Sequence, residues 1–222
     1  MEIIPRIELT SLRPDSSEEE IRRLAMAAKE LRLAALTVTP VWARFAGLAL
    51  AQSPVRMGVV VGYPMGTHTP SVKGLEARLA LEEGAAEVTL VPNLSAYKSG
   101  HRETFRQDVA YVLKQCRQAN PEAQVKVLLY VDLLSLAEQR EVVRIVQEGG
   151  GRFLLVGTFV PQPITPTMFR RLAEFAGPGC LLGAMGEIRS LEEAQALLAL
   201  EAARLATPWG LEIAREAGGM LR

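Results

Sequence analysis

Eight times along the chain a short apolar run gives way to a longer amphipathic or alanine-rich stretch, with no shift in composition between units. The runs fall at 7–9, 35–38, 55–61, 87–91, 125–130, 153–156, 180–183 and 204–206. A helical pattern follows each. Short strands that alternate with helices in this way bury themselves as one parallel sheet wrapped by its helices. Helix starts carry capping chemistry. Ser16 with Glu19, Ser135 with Glu138 and Ser190 with Glu193 have capping-box spacing, and Thr39-Pro40, Thr165-Pro166 and Thr207-Pro208 suit a first helical turn. Stops are expected at Gly84, at 149–151 and at Gly177. Eight units in 222 residues predict one domain over 1–222, a closed (β/α)8 barrel of parallel strands, because an open doubly wound sheet needs fewer strands.

Composition narrows the function. Twenty-five basic residues balance twenty-five acidic ones, so no global field draws in nucleic acid or an anionic membrane. No apolar run approaches the roughly 20 residues that cross a bilayer. The first ten residues include Glu2, Pro5, Arg6 and Glu8 instead of a signal-peptide pattern, and the expectation is a cytoplasmic protein. Cys116 and Cys180 have no histidine at metal-ligand spacing and read as packed thiols. The five lysines are Lys29, Lys73, Lys98, Lys114 and Lys126, so no side-chain primary amine follows residue 126.

In a (β/α)8 barrel the chemistry sits on the loops that leave the C-terminal ends of the strands. These are 10–17, 37–40, 62–71, 92–100, 130–135, 157–165, 184–190 and 207–210. They carry Ile7-Glu8-Leu9-Thr10 before Leu12-Arg13-Pro14-Asp15, then Gly62-Tyr63-Pro64-Met65-Gly66 through Val72-Lys73, and Asn93 with Ala96-Tyr97-Lys98-Ser99-Gly100. Val125-Lys126-Val127, Gly157-Thr158 and Gly186-Glu187-Ile188-Arg189-Ser190 follow. In this order and spacing the chain resembles the deoxyribose-phosphate aldolase family, class I aldolases on a (β/α)8 barrel, over nearly its whole length. The resemblance implies a lysine Schiff base that joins acetaldehyde to glyceraldehyde 3-phosphate or cleaves 2-deoxyribose 5-phosphate. It implies neither a metal nor an organic cofactor, and it implies a homodimer or other homo-oligomer.

Residue by residue the catalytic set departs from that family. Leu155 stands at the Schiff-base position, Gly183 at the helper lysine, Thr89 at the relay aspartate and Thr37 at a frequent cysteine, while Glu8 conserves the acidic position of the first strand. The phosphate cradle departs too. Phe159 and Glu187 replace glycines, and Pro208-Trp209 stand in what is normally a small turn. Lys126 shares a strand face with Leu128 and Tyr130 and points into the barrel about 13 Å below the mouth, where Glu8 is its natural partner.

The candidate catalytic groups are therefore Glu8, His68 and Lys126, and the candidate ligand-binding residues are Thr37, Thr89, Tyr130, Gly186 and Arg189. Asp132 and Met185 join Glu8, Thr37, Thr89 and Tyr130 as expected cavity walls, Arg189 pairs with Glu187 or an anion, and Lys73 and Lys98 read as surface or loop-fixing groups. The stretch 194–205 is either an oligomer contact or a barrel-packing helix. The expectation is a barrel that has lost class I aldolase activity and serves ligand binding, regulation or assembly. The alternative is an aldolase-type enzyme with an altered site for a small carbonyl or sugar phosphate.

Overall fold

The computed structural model describes residues 2–219. Its strands are β1 (Ile7–Ser11), β2 (Ala35–Val38), β3 (Arg56–Val61), β4 (Glu87–Leu90), β5 (Gln124–Tyr130), β6 (Phe153–Gly157), β7 (Leu181–Met185) and β8 (Leu205–Thr207). The helices are α1 (Glu18–Leu31), α2 (Ala43–Ala49), α3 (Pro70–Glu82), α4 (Leu94–Lys98), α5 (Arg102–Ala119), α6 (Leu136–Glu148), α7 (Pro166–Ala176), α8 (Leu191–Leu198) and α9 (Gly210–Gly219). The strands follow chain order around a closed parallel barrel, and β1 pairs with β8 in the register Glu8 to Ala206. This is the (β/α)8 barrel expected from the alternation. Among the described residues no helix is long and apolar enough to cross a membrane.

Successive strand residues face opposite sides, and that alternation separates two cores. Val127, Leu129, Leu154, Val156, Leu182, Ala184 and Leu205 pack outward under the helices. Leu128, Tyr130, Phe153, Leu155, Met185 and Ala206 belong to a second cluster inside the barrel with Val60 and Val91. Full burial of each such leucine or valine stabilises the fold by about 1.5–3 kcal/mol.

Ser135 and Glu138 close a reciprocal capping box on α6, and Thr165 accepts from the Met168 amide beside Pro166. Ser190 caps α8, but the Glu193 carboxylate returns to the Arg189 amide instead of its own cap. Two helix starts correct the sequence reading. Ser17, and not Ser16, caps α1 by accepting from the Glu20 amide, because the Ser16 hydroxyl is buried 3.1 Å from that of Ser11. After Thr207-Pro208 the helix waits until Gly210, since the Thr207 hydroxyl donates to the Ile188 carbonyl and accepts from the Trp209 amide. Of the stretch 194–205, only 194–198 is helical, and there Ala194, Leu197 and Leu198 pack inward while Gln195 is exposed. Cys116 is buried, Cys180 is partly exposed, and both are free thiols.

Lys73 is the loop-fixing residue of its segment. Wholly buried on α3, it donates to the Gly66 and Val91 carbonyls and, at 2.6 Å, to Asp108. The three ammonium protons thereby tie the β3–α3 loop to the end of β4 and to α5. Lys98 lies on the surface and pairs with Glu138.

Candidate functional site at the barrel mouth

The lower lumen is ionic. Lys126 Nζ lies 2.5 Å from Glu8 Oε2 and 2.7 Å from Glu87 Oε2, and all three side chains are fully buried. Thr37 donates its hydroxyl proton to Glu8 Oε1 at 2.7 Å. Gly58 makes room for that contact, since a Cβ there would fall 2.1 Å from the Thr37 hydroxyl oxygen. Arg204 grips both Glu87 oxygens, at 3.0 and 3.3 Å, and Arg56 reaches the same carboxylate at 2.8 Å from a more exposed position. Burial pushes the Glu87 carboxyl up, but Lys126, Arg204 and Arg56 outweigh it and hold the group below its ordinary range.

This cluster contains the expected Glu8–Lys126 pair and two residues that the sequence reading missed, Glu87 and Arg204. Their signal was a charge at the inward start of β4 and at the entry to β8, one layer from Lys126. Two of the three Lys126 ammonium protons are therefore donated to buried carboxylates.

Above the ions the lumen turns to hydrocarbon. Leu155 is fully buried in the cluster with Leu128, Tyr130 and Met185. Gly183 lies against it, and a Cβ at Gly183 would come 2.8 Å from both Leu155 Cδ2 and the Arg204 carbonyl oxygen. Thr89 is buried between the layers, and its hydroxyl oxygen has no hydrogen-bond partner among the described residues.

At the C-terminal ends of the strands a cavity of about 490 Å³ opens between the loops. Leu128, Tyr130, Met185 and Phe159 line it together with Tyr63, and Tyr130 meets Phe159 edge to face at 5.5 Å. Tyr130 is 5% exposed, and burial, then the neighbouring Tyr63 and Asp132, drives its hydroxyl well above the ordinary phenol range. It stays a neutral donor at any ordinary pH.

The expected cavity walls are thus corrected. Of the candidates, Tyr130 and Gly186 line the mouth, as does Met185, whereas Glu8, Thr37, Thr89 and Lys126 lie beneath it and His68 sits exposed on the β3–α3 loop. Among the described residues no lysine lines the cavity, and no group of three or more histidine, cysteine or acidic side chains is placed to hold a metal ion.

Asp132 plays a different part from the one expected. Its carboxylate accepts from the Phe159 amide at 2.8 Å and the Val160 amide at 3.1 Å, so two donors of the β6–α7 loop are taken by the protein's own acid. The Trp209 amide is taken by Thr207 and the Arg189 amide by Glu193. A phosphate needs free amides of this kind. Arg189 turns its guanidinium to Glu187 at 2.6 Å and stacks 5.0 Å over Trp209.

No protein-family model matches the chain. A deoxyribose-phosphate aldolase of Enterococcus faecalis is 32% identical over 220 residues, covering 99% of each chain, and one of Streptococcus gordonii is 31% identical over 214 residues, 96% of each. Among solved structures, one described as "QR15, an Aldolase" superposes with a TM-score of 0.91 at 30% identity, covering 97% of this chain and 96% of its own. The deoxyribose phosphate aldolase of Aeropyrum pernix, described as having a unique tetrameric structure, gives 0.88 at 26% identity over 98% and 92%.

Proposed function

The chain belongs to the deoxyribose-phosphate aldolase family, and from that premise we propose that it has given up class I aldol chemistry and uses its mouth cavity to bind a small molecule. One observation carries the reading. At the strand position where the family resemblance puts the Schiff-base amine stands Leu155, buried among Leu128, Tyr130 and Met185, and among the described residues no lysine lines the cavity. Covalent capture of an aldehyde carbon needs a nitrogen lone pair at that height in the barrel. The interior lysine, Lys126, lies below, clamped between two carboxylates. Glu187 at the rim and the committed amides of Phe159 and Val160 also weigh against a phosphorylated substrate.

The altered-enzyme alternative requires at least two of Glu8, His68, Asp132 and Lys126 within reach of the mouth. None of these lines the cavity, which favours binding over chemistry. A cytoplasmic homo-oligomer remains part of the proposal. It is supported by the tetrameric relative and by Val72, Leu75 and Leu79, which leave an apolar stripe exposed along α3. Sedimentation equilibrium tests it, and a monomer at all concentrations contradicts it.

The test of the main reading is to incubate the protein with 2-deoxyribose 5-phosphate, or with acetaldehyde, in the presence of borohydride, followed by intact mass and peptide mapping. The expected result is no specific single adduct. Stoichiometric labelling of one lysine, Lys126 above all, would establish relocated chemistry instead.

A further inference from the structure

Two phenols face the mouth cavity without a partner. The hydroxyls of Tyr63 and Tyr130 make no hydrogen bond among the described residues, and both side chains line the cavity, Tyr130 from within at 5% exposure and Tyr63 from an exposed position on the β3–α3 loop. Neither hydroxyl is among the sealed, unpartnered polar atoms of the described residues, so each is open to the cavity and free to donate to a molecule that enters it, a bond that contributes about 0.5–1.5 kcal/mol.

The rest of the lining says what that is. Leu128, Met185 and the Phe159 ring offer an apolar wall. The charged lining is Glu20, Glu187 and Glu212 against Arg13 and Arg23, and Arg13 is already held by Asp15 at 2.9 and 2.6 Å. With Glu187 likewise held by Arg189, an anion would meet Glu20 and Glu212 against Arg23 alone, and amides that Asp132 has taken. A cation gains only at the rim, where Glu20 and Glu212 lie on α1 and α9, since no carboxylate reaches the floor.

We propose that the cavity holds a small uncharged organic molecule with a flat apolar body against Leu128, Met185 and Phe159, and a carbonyl-type oxygen that accepts from Tyr130 and Tyr63. The volume of about 490 Å³ suits a one- or two-ring compound. This identification rests on the reading of the mouth as a binding site and adds the chemical class of its occupant.

The probe is acetophenone, followed by NMR of protein labelled at its methionine methyls, with Met185 reporting from the cavity wall. Acetophenone is expected to shift the Met185 methyl with a Kd of about millimolar. Tyr130→Phe should weaken it roughly threefold to tenfold, and Tyr63→Phe by a smaller factor. Benzoate and phenyl phosphate should leave Met185 unmoved, and benzylammonium should bind more weakly than the ketone. An equal response to either anion, tighter binding of the ammonium, an unchanged Kd in Tyr130→Phe or no shift with acetophenone would overturn the proposal. The borohydride trap answers separately. A lysine adduct would end the non-catalytic reading whatever Met185 shows, and a silent Met185 without an adduct would end only the ligand class.

Discussion

Lys126 and Leu155 stand on neighbouring inward layers and decide different things. Lys126 holds two buried carboxylates, so its removal strands both charges. Lys126→Met is expected to cost about 3–5 kcal/mol in urea unfolding, because an uncompensated buried charge is far dearer than a lost surface pair. A loss below 1 kcal/mol would mean the carboxylates find other partners. Gly58→Ala forces a methyl onto the Thr37 hydroxyl that steadies Glu8, and about 1–3 kcal/mol of destabilisation is expected by the same measurement. Much of this site was legible in the residues. The inward phase of Lys126 and the acid at Glu8 follow from strand alternation, and both survive in the structure. Glu87 and Arg204 were not legible, since a charge at a strand end reads equally as a solvated rim until the barrel closes and sets β4, β5 and β8 around one axis. Thr89 and Thr37 were placed on the right face but one layer too high.

Strand positions were readable to within one or two residues because an apolar run of this length has one way to sit between helices and lumen. Caps were less so. Ser16-x-x-Glu19 and Ser17-x-x-Glu20 carry the same spacing, and only the burial of Ser16 beside Ser11 selects the second. The clamp from Asp132 to the β6–α7 loop was not legible at all, because it joins residues 27 and 28 positions apart across two loops. Asp132→Ala should leave the barrel folded and speed hydrogen exchange at the Phe159 and Val160 amides, since an exposed loop held by two side-chain bonds opens locally once they go. Exchange unchanged at both amides would show that other contacts hold the loop. The α6 box gives an internal standard: Ser135→Ala should cost about 1 kcal/mol.

Across the molecule the ionic layer ties β1, β2, β4 and β5 to the entry of β8, so its charge state bears on barrel closure. Glu87 has a folded pKa below its ordinary 4.5, which places its stabilising contribution above pH 4.5 and removes it as pH falls through the lowered folded value. Unfolding free energy is therefore expected to decline from pH 5 toward pH 3, with a shallower decline in Glu87→Gln, measured by urea titration at each pH. A profile identical in the two proteins would remove Glu87 from the account. The hydrocarbon layer above those ions is where the family's reaction would have to occur. Retro-aldol turnover of 2-deoxyribose 5-phosphate, followed as acetaldehyde release, tests that layer most directly. A rate indistinguishable from the protein-free blank is expected, and turnover that co-purifies with the folded protein would overturn the loss of aldol chemistry.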